Sequence, residues 1–139
     1  MNLSSVHRDL TQINKVFWAG LSEGKILVQT CLTCKKNQFY PRILCKRCQS
    51  IDLEWKEVSL TGELYSYTII HRSPSKEFFS DEPYVLGIVK IHDDNNGSTV
   101  EFFCELVDID HSDLFVGMKL QAIFPKEGDT HVLAFTKSN

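Results

Sequence analysis

The chain has 139 residues, of which 42% are hydrophobic and 24% charged, and its formal net charge at pH 7 is −3. No stretch approaches the roughly 18 consecutive apolar residues of a membrane span, and residues 1–10 lack the apolar run of a secretory signal. We therefore expect neither a membrane span nor a secretory signal. We expect a soluble, cytoplasmic protein with one core and one small module.

The net charge hides an asymmetry along the chain. Residues 25–56 carry seven basic side chains against two acidic ones, a local balance of +5, which leaves −8 for the other residues. A basic module on an acidic body attracts anions such as nucleic acid, coenzyme A phosphates or an acidic protein face. Small metal-binding modules also carry lysines simply as a solvated surface, so both interpretations stay open.

An amphipathic helix is predicted over residues 13–21. Ile13, Phe17 and Leu21 recur at four-residue spacing, and Gly24 is placed to end the helix. Trp18 cannot share a core-facing stripe with its neighbour Phe17. It therefore either packs on the module that follows or belongs to an interface.

After a short strand predicted over residues 25–30, the chain contains two Cys-x-x-Cys pairs. Each pair makes a tight turn that aims two sulfurs at one point, so two pairs complete a tetrahedral shell. Four soft thiolates favour zinc or iron over magnesium or calcium. A closed shell leaves no position for a reactive water, which makes the metal structural. The predicted ligands are Cys31, Cys34, Cys45 and Cys48.

Disulfides are the alternative for these cysteines. A cytosolic chain is kept reduced, and paired Cys-x-x-Cys motifs there indicate metal binding. A redox motif of the thioredoxin type would stand alone beside a βαβ pattern, which this sequence lacks. The fifth cysteine, Cys104, lies in an apolar strand and is predicted to be a small buried hydrophobe.

The residues around the cysteines are typical of a zinc ribbon, two short hairpins clamped at one end by metal. We expect residues 38–42 to form a hairpin whose aromatic side chains cover the flank of the metal. Residues 52–58 largely alternate apolar and charged, which predicts a half-exposed strand. A module this small buries too little surface to fold unaided, so its stability should depend on the metal.

From Gly62 onward the sequence predicts five strands and no long helix, an arrangement typical of a small Greek-key barrel of OB type. Gly87 marks a bulge or tight bend, Asn96-Gly97 marks a hairpin turn, and residues 107–117 form a turn or a short helix at most. The strands are predicted over Glu63–His71, Tyr84–His92, Thr99–Leu106, Met118–Phe124 and His131–Thr136. The expected fold is therefore mainly β, with a helical segment at 1–24, a zinc ribbon at 25–59 and the barrel at 60–139.

Residues suited to catalysis are not grouped in the sequence. The five histidines are scattered without a Ser/His/Asp or His–Glu arrangement, and no Gly-rich phosphate loop is present. His71 and His92 both end predicted strands, where they would meet at one barrel rim or else act as solvated caps. The sequence favours a non-catalytic protein.

A series of motifs runs along nearly the whole chain, from Val16 to Phe135. Its members are Phe17-Trp18, Cys31-x-x-Cys34, Tyr40-Pro41-Arg42, Cys45-x-x-Cys48, Trp55, Gly62, Tyr65-Ser66-Tyr67-Thr68, Gly117-Met118 and Phe135. This order and spacing resembles a family of acyl-CoA-associated proteins, which join a helical N-terminus and a rubredoxin-like zinc ribbon to a C-terminal OB-fold. The resemblance implies an accessory role, because family members are small partner subunits of thiolase-like enzymes, acyl-CoA hydratases and related aldol lyases. Some members have been proposed to bind acyl-CoA.

The chain departs from the pattern of this family at three positions. Lys46 stands where proline usually follows the third cysteine, and Lys35 stands where glycine often follows the second. Leu60 replaces the first glycine of a Gly-x-Gly ahead of the first barrel strand. The first two departures change how the backbone amides beside the cysteines reach the sulfurs. They affect the expected geometry of the ribbon and the case for iron as the metal more than the identity of the four ligands.

Two sets of residues are candidates for contacts with a ligand and a partner. Basic ribbon side chains suit the 3′-phosphate and pyrophosphate of acyl-CoA, because ammonium groups bind phosphate as point charges; they are Lys35, Lys36, Arg42, Lys46 and Arg47. Aromatic side chains suit a partner enzyme; they are Phe17, Trp18, Phe78 and Phe79. The last two sit in a polar loop at 72–83, where they either anchor a partner or fold back onto the barrel end.

A second function class is single-stranded nucleic-acid binding. OB-folds and zinc ribbons both occur in such proteins, which use a basic groove and stacking aromatics. The candidate aromatics are Tyr65, Tyr67, Phe102 and Phe103. The barrel half is acidic, however, and a negative surface repels phosphate. Tyr65 and Tyr67 also share one strand face, where core or interface packing is the simpler interpretation.

Overall fold

The computed structural model describes residues 12–71 and 83–138, and the helix and strands within them form a ribbon, a barrel and a side hairpin. The helix and ribbon strands are α1 (Lys15–Ser22), β1 (Ile26–Cys31), β2 (Asn37–Gln38) and β3 (Leu53–Val58). The barrel strands are β4 (Thr61–Ile70), β5 (Tyr84–Asp93), β6 (Ser98–Leu106), β7 (Lys119–Ile123) and β10 (Ala134–Lys137). The side hairpin pairs β8 (Lys126–Glu127) with β9 (Thr130–His131). The expected mainly β fold, with one helix, a four-cysteine ribbon and a five-stranded barrel, is confirmed.

The barrel closes through β10. In the strand order β10–β6–β5–β4–β7, this strand pairs parallel with β6 and antiparallel with β7. Alternate residues of β6 turn inward, because successive side chains of a strand point to opposite faces. The inward residues are Val100, Phe102, Cys104 and Leu106, all buried. Cys104 is thus the buried hydrophobe that the sequence predicts, and burial raises the pKa of its thiol to about 12.

Gly87 pairs in unbroken register with both neighbouring strands, so of the bulge or tight bend predicted there, the bulge is wrong. The register shift lies in the neighbouring β4, between Leu64 and Ser66. A Cβ atom on Gly87 would lie 3.1 Å from side-chain atoms of both Leu64 and Leu106. Glycine therefore stands at this position because two leucine side chains approach the strand backbone closely.

The strand predicted over residues 131–136 is divided in two. His131 ends β9 in the side hairpin, and β10 begins only at Ala134. Between them, the Val132 amide donates a hydrogen bond of 2.9 Å to the Pro125 carbonyl, which ties the chain to the base of the hairpin before it enters the barrel. Earlier, residues 107–117 contain one 3-10 turn at His111–Asp113, as predicted.

One hydrophobic core joins the helix, the ribbon and the barrel. Phe17 and Leu21 of α1 pack in the same cluster as Val28 of β1 and Phe135 of β10. The helix approaches β1 closely at Gly20, where a Cβ would lie 3.0 Å from the Leu27 side chain. In the described ranges no helix is long and apolar enough to cross a bilayer.

Phe39 occupies a different place from the one that the sequence suggests. Residues 38–42 form no hairpin of their own, and β2 pairs with β1 across the first cysteine pair instead. The Phe39 ring centroid lies 4.9 Å from that of Phe17 and 4.6 Å from that of Phe102. Phe39 therefore fills the junction of helix and barrel rather than the flank of the metal, because an aromatic ring gains more from a shared core than from an exposed ribbon edge.

A second contact between ribbon and barrel is polar, and it comes from residues that the sequence analysis does not single out. The Asn37 side-chain amide donates to Asp93 Oδ2 at 2.9 Å, and its backbone amide donates to the Ser98 hydroxyl at 3.0 Å. Asn96, in the β5–β6 turn, donates to Asn37 Oδ1 at 3.0 Å. Lys56 of β3 forms an ion pair with Asp93. These five residues are called the polar seam below.

Candidate metal centre

The two Cys-x-x-Cys pairs lie on two knuckles, residues 31–36 and 45–50, that share one hydrogen-bond pattern. In both, the first cysteine donates its backbone amide to the carbonyl of the last knuckle residue at 2.9 Å. In both, the fifth residue, Lys35 or Gln49, donates its amide to the carbonyl of the first cysteine, also at 2.9 Å. Each residue of one knuckle therefore has a counterpart in the other.

Lys35 and Gln49 share an unusual backbone conformation, with φ of 65° and 64°. This is the left-handed region, which favours glycine because it has no Cβ. The structure thus gives a physical reason for the glycine that the pattern of the resembled family often has after the second cysteine. In this chain a lysine takes the same conformation.

The knuckles bring the four predicted ligands together. The sulfurs of Cys31, Cys34, Cys45 and Cys48 all lie within 4.8 Å of one another. The closest pairs are Cys31 with Cys48 at 3.5 Å and Cys34 with Cys45 at 3.7 Å. Sulfurs bound to one tetrahedral zinc at about 2.3 Å each stand about 3.8 Å apart, whereas a disulfide needs about 2.05 Å. The donor set and its spacing therefore fit zinc, and all five cysteines are free thiols.

Backbone amides favour the thiolate form of two of these cysteines. The amide of Cys34 donates to the Cys31 sulfur at 3.4 Å, and it is the main cause that lowers the pKa of Cys31 to about 6. The pKa of Cys45 is also lowered, first by the amide of Cys48 and further by that of Arg47. Because the thiolate is the metal-binding form, these amides prepare the site for a cation.

The five basic residues expected to contact anions lie on the knuckles or on the loop between them. All five side chains are exposed, and none forms an ion pair with any residue in the described ranges. They surround the metal end of the ribbon, away from the barrel core. They are Lys35, Lys36, Arg42, Lys46 and Arg47.

The two strand-end histidines do not meet at one rim. β4 and β5 run antiparallel with Ile70 opposite Tyr84 and Glu63 opposite Lys90. His71 therefore lies at one end of this strand pair and His92 at the other. Of the two interpretations, the shared rim is wrong, because antiparallel strands place the ends of successive strands at opposite sides of a sheet. Both histidines are exposed at their strand ends, as the alternative of solvated caps expects.

The aromatic residues predicted for a partner are only partly described. Phe17 is buried, and Trp18 is half-buried against it, with ring centroids 5.2 Å apart in an edge-on arrangement. Trp18 thus packs against the common core of helix, ribbon and barrel. Phe78 and Phe79 lie outside the described residues. Of the nucleic-acid candidates, Phe102 is buried, and the outward-facing aromatics are Tyr65, Tyr67 and Phe103.

Comparisons with known proteins agree with this architecture. A family model described as the rubredoxin-like zinc ribbon domain of ChsH2 matches residues 18–54, and one described as its C-terminal OB-fold domain matches residues 55–124. A DUF35 domain-containing scaffold protein of Methanothermobacter thermautotrophicus is 33% identical over 110 residues, which cover 76% of this chain and 77% of that protein. A scaffold protein of the same description from Methanocaldococcus jannaschii is 27% identical over 124 residues, 85% of this chain and 83% of that one.

Two further similarities are more distant or more local. A probable enoyl-CoA hydratase alpha subunit of Thermomonospora curvata is 29% identical over 87 residues, 63% of this chain but 25% of that protein. A solved structure described as the Ltp2-ChsH2(DUF35) aldolase superimposes with a TM-score of 0.78 at 22% identity, covering 94% of this chain and 98% of that one. The last similarity supports the fold alone. With both of its domains matched in order, the chain belongs to the ChsH2 family, whose members join a rubredoxin-like zinc ribbon to a C-terminal OB-fold.

Proposed function

We propose that this chain is a non-catalytic accessory or bridging subunit of an acyl-CoA-processing enzyme, thiolase-like or of the hydratase/aldolase type. The observation that carries the proposal is its 33% identity to a protein described as a scaffold, over 76% of this chain. The similarity to a probable enoyl-CoA hydratase alpha subunit supports an acyl-CoA-processing enzyme as the one that such a scaffold serves.

The arrangement of reactive side chains supports a scaffold. A sulfur shell with four members is closed and offers no position for a substrate or a metal-bound water. His71 and His92 are separated by the length of a strand pair. General acid–base catalysis needs a base within hydrogen-bond reach of its substrate and usually a second group to orient it, and these histidines do not supply such a pair.

We propose that Cys31, Cys34, Cys45 and Cys48 hold one zinc ion. The four sulfurs already lie at distances suited to a single tetrahedral ion. The ion would cross-link the knuckles and supply no chemistry beyond that, because every coordination position is taken by protein.

We also propose that the exposed ribbon cations contact the phosphates of acyl-CoA at a site shared with the partner enzyme. The proposal is supported by the observation that these cations form no ion pair with the described residues. Their charges are therefore available to an anion. Calorimetry with acetyl-CoA, on the chain alone and on the complex, should show binding that weakens as salt rises. If neither sample shows a heat of binding at low salt, the proposal is wrong and these residues form only a solvated surface.

Co-expression tests the scaffold proposal. The chain carries an affinity tag and is produced with the thiolase-like and hydratase-like enzymes encoded nearest its own gene, each in turn. We expect one of them to co-elute with the chain through size-exclusion chromatography, and we expect the chain alone to turn over no acyl-CoA. Elution of the chain by itself from every mixture would contradict the proposal.

Single-stranded nucleic-acid binding is a second candidate, because Tyr65, Tyr67 and Phe103 are exposed on the barrel. The cations near them are already engaged: Lys90 lies 3.7 Å from Glu101 and 3.7 Å from the centre of the Tyr65 ring. Fluorescence anisotropy with labelled oligonucleotides of mixed sequence tests it. Binding at physiological salt, lost on replacing Tyr65 and Tyr67 with alanine, would favour this function over the scaffold.

A further inference from the structure

The two knuckles are alike in shape but differ in what covers them. The first is flanked by Thr30 and Asn37, which pair across β1 and β2 and are 9% and 2% exposed. The counterparts in the second knuckle are Leu44 and Ile51, by the equivalence of the hydrogen bonds described above. These two side chains are 40% and 76% exposed.

The barrel explains the burial of the first knuckle. The β5–β6 turn lies against Asn37 through the polar seam, and the flanking residues there are polar to match it. The second knuckle faces away from the barrel, and its flanking residues are aliphatic. Neither Leu44 nor Ile51 belongs to the hydrophobic core of the described chain.

Two more aliphatic side chains extend this apolar surface. Leu32 is exposed, and its amide donates to the carbonyl of Asp52, the residue after Ile51, at 2.8 Å. Ile43 precedes Leu44 and is also exposed. Leu32, Ile43, Leu44 and Ile51 are called the knuckle face below. Grouped and exposed aliphatic side chains of this kind mark interaction surfaces more often than solvated ones.

The charges around the knuckle face are mainly basic, with the exposed Asp52, which follows Ile51, as an acidic neighbour. Lys46 and Arg47 lie within the second knuckle and Arg42 directly precedes Ile43; all three are exposed and without an ion pair among the described residues. An apolar centre with a charged rim is the anatomy of a protein–protein interface. Nucleic acid or a free phosphate would use the cations but would leave the aliphatic side chains in water.

We propose that the knuckle face docks onto a partner protein whose own surface is apolar at the centre and lined by aspartate and glutamate. The inference rests on the proposed scaffold function, and it identifies the acyl-CoA-processing enzyme as that partner. It assigns Arg42, Lys46 and Arg47 to carboxylates of the enzyme, and for these three residues it replaces the acyl-CoA contact proposed above. The second knuckle would then hold the enzyme as the first knuckle holds the barrel, with apolar contacts in place of polar ones.

The test uses the complex obtained by co-expression and measures its dissociation constant by biolayer interferometry. The double variant Leu44→Asp with Ile51→Asp places two acids in an interface lined by acids, and it should raise the dissociation constant on the order of 100-fold. Val116→Asp is the matched control, because Val116 is a β-branched residue 62% exposed in the loop before β7. Zinc content and melting temperature establish that each variant is folded, and Ile51→Ser alone replaces the double variant if that one loses zinc.

Lys46→Glu with Arg47→Glu tests the rim separately. Long-range attraction between rim charges mainly sets the association rate, so this variant should associate more slowly and lose most of its dependence on salt. A complex that survives Leu44→Asp with Ile51→Asp as well as it survives Val116→Asp overturns the docking inference and leaves the scaffold function standing. Absence of a complex with wild-type chain overturns both. Binding of wild type to phosphatidylserine vesicles, lost in the double variant while the complex persists, assigns the face to lipid and also overturns the inference.

Discussion

At the scale of single residues, Lys35 and Gln49 show how the knuckle backbone constrains its sequence. Both adopt the left-handed conformation, with φ of 65° and 64°, which costs a non-glycine residue about 1–2 kcal/mol. Lys35→Gly should therefore leave the melting temperature unchanged or raise it. Thermal unfolding of the zinc-loaded protein measures the effect.

Lys36→Gly is the matched control for this prediction. Lys36 is the next residue, is also exposed, and is not among those with positive φ. Glycine there only adds freedom to the unfolded chain, and it should cost about 0.5–1 kcal/mol. Equal destabilisation by Lys35→Gly and Lys36→Gly would show that the conformation of Lys35 carries no strain.

Asp93 links stability to pH. Burial alone raises the pKa of Asp93, but the hydrogen bonds from Lys56, Asn37 and the Asn95 amide, together with the charge of Lys56, outweigh it, so the pKa is lowered. The folded-state pKa then lies below the unfolded value of about 3.9. The stability that this carboxylate contributes is complete above about pH 4 and is lost as the pH falls through the folded-state pKa.

We therefore expect Asp93→Asn to lower stability at neutral pH by about 1–3 kcal/mol, because it leaves Lys56 without its charge partner. The variant should also show a shallower fall in melting temperature between pH 5 and pH 2 than wild type, by differential scanning calorimetry. Asp94→Asn, at the exposed neighbouring position, should retain the wild-type pH profile. A pH profile of Asp93→Asn that parallels wild type would contradict this account of Asp93.

At the scale of elements, we expect the folding of the ribbon to depend on metal only in part. β1 places Val28 in the common core, while the knuckles have no apolar core of their own. Removal of zinc with a chelator should therefore expose residues 31–50 to fast hydrogen exchange and leave β5 and β6 protected. Mass spectrometry of peptide fragments measures this. Cys31→Ser should behave in the same way, and Cys104→Ala, distant from the sulfurs, should keep its zinc.

Loss of protection in β6 to the same extent as in the knuckles would show instead that ribbon and barrel unfold as one unit when the metal leaves. The sequence alone suggests that loosening extends over residues 26–56. The structure shortens the region that we expect to loosen to residues 31–50, because Ile26 and Val28 are held by the hydrophobic core and not by the metal.

Local sequence patterns predicted the structural elements well where a pattern is typical of a single structure. The Cys-x-x-Cys pairs, the alternating strand around Glu54 and the Asn96-Gly97 turn each correspond to an observed feature. Gly87 and Phe39 were misread because their roles depend on distant residues: two leucines that press on the glycine, and Phe102 that receives the aromatic ring. The polar seam was missed for the same reason, since nothing near Asn37 in sequence indicates Asp93.

At the scale of the whole molecule, Phe39 is one of the apolar links between ribbon, helix and barrel. Phe39→Ala removes a ring that touches both Phe17 and Phe102, and it should destabilise the chain by about 2–4 kcal/mol. One cooperative transition should remain, with the same midpoint by tryptophan fluorescence and by far-UV circular dichroism. Tyr40→Ala, at the exposed neighbouring position, should cost less. Separate transitions in the wild type would show that the ribbon and barrel are independent.

In the candidate site, too, features set by residues close in sequence could be predicted, and features set by residues far apart in sequence could not. The ligand set follows from spacing within a short stretch, and the structure brings those four sulfurs together. The knuckle face cannot be predicted from spacing. In the sequence, Leu44 and Ile51 resemble core residues, and only the structure shows that they are exposed and that the barrel covers the other knuckle. The predicted domain boundaries at residues 24 and 59 remain predictions, and so do the basic residues as acyl-CoA contacts.

The position of β10 has a consequence for biosynthesis. This strand follows every other barrel strand along the chain, yet it pairs with both β6 and β7. Until β10 has left the ribosome, β6 and β7 each keep an open edge, and open edges invite pairing with other chains. The ribbon strands, in contrast, are all synthesised before the first barrel strand. A ribbon that has already bound metal can therefore offer Asn37 and Phe39 as contacts to the barrel while the barrel is being synthesised. We expect the supply of zinc to affect the fraction of newly made protein that aggregates.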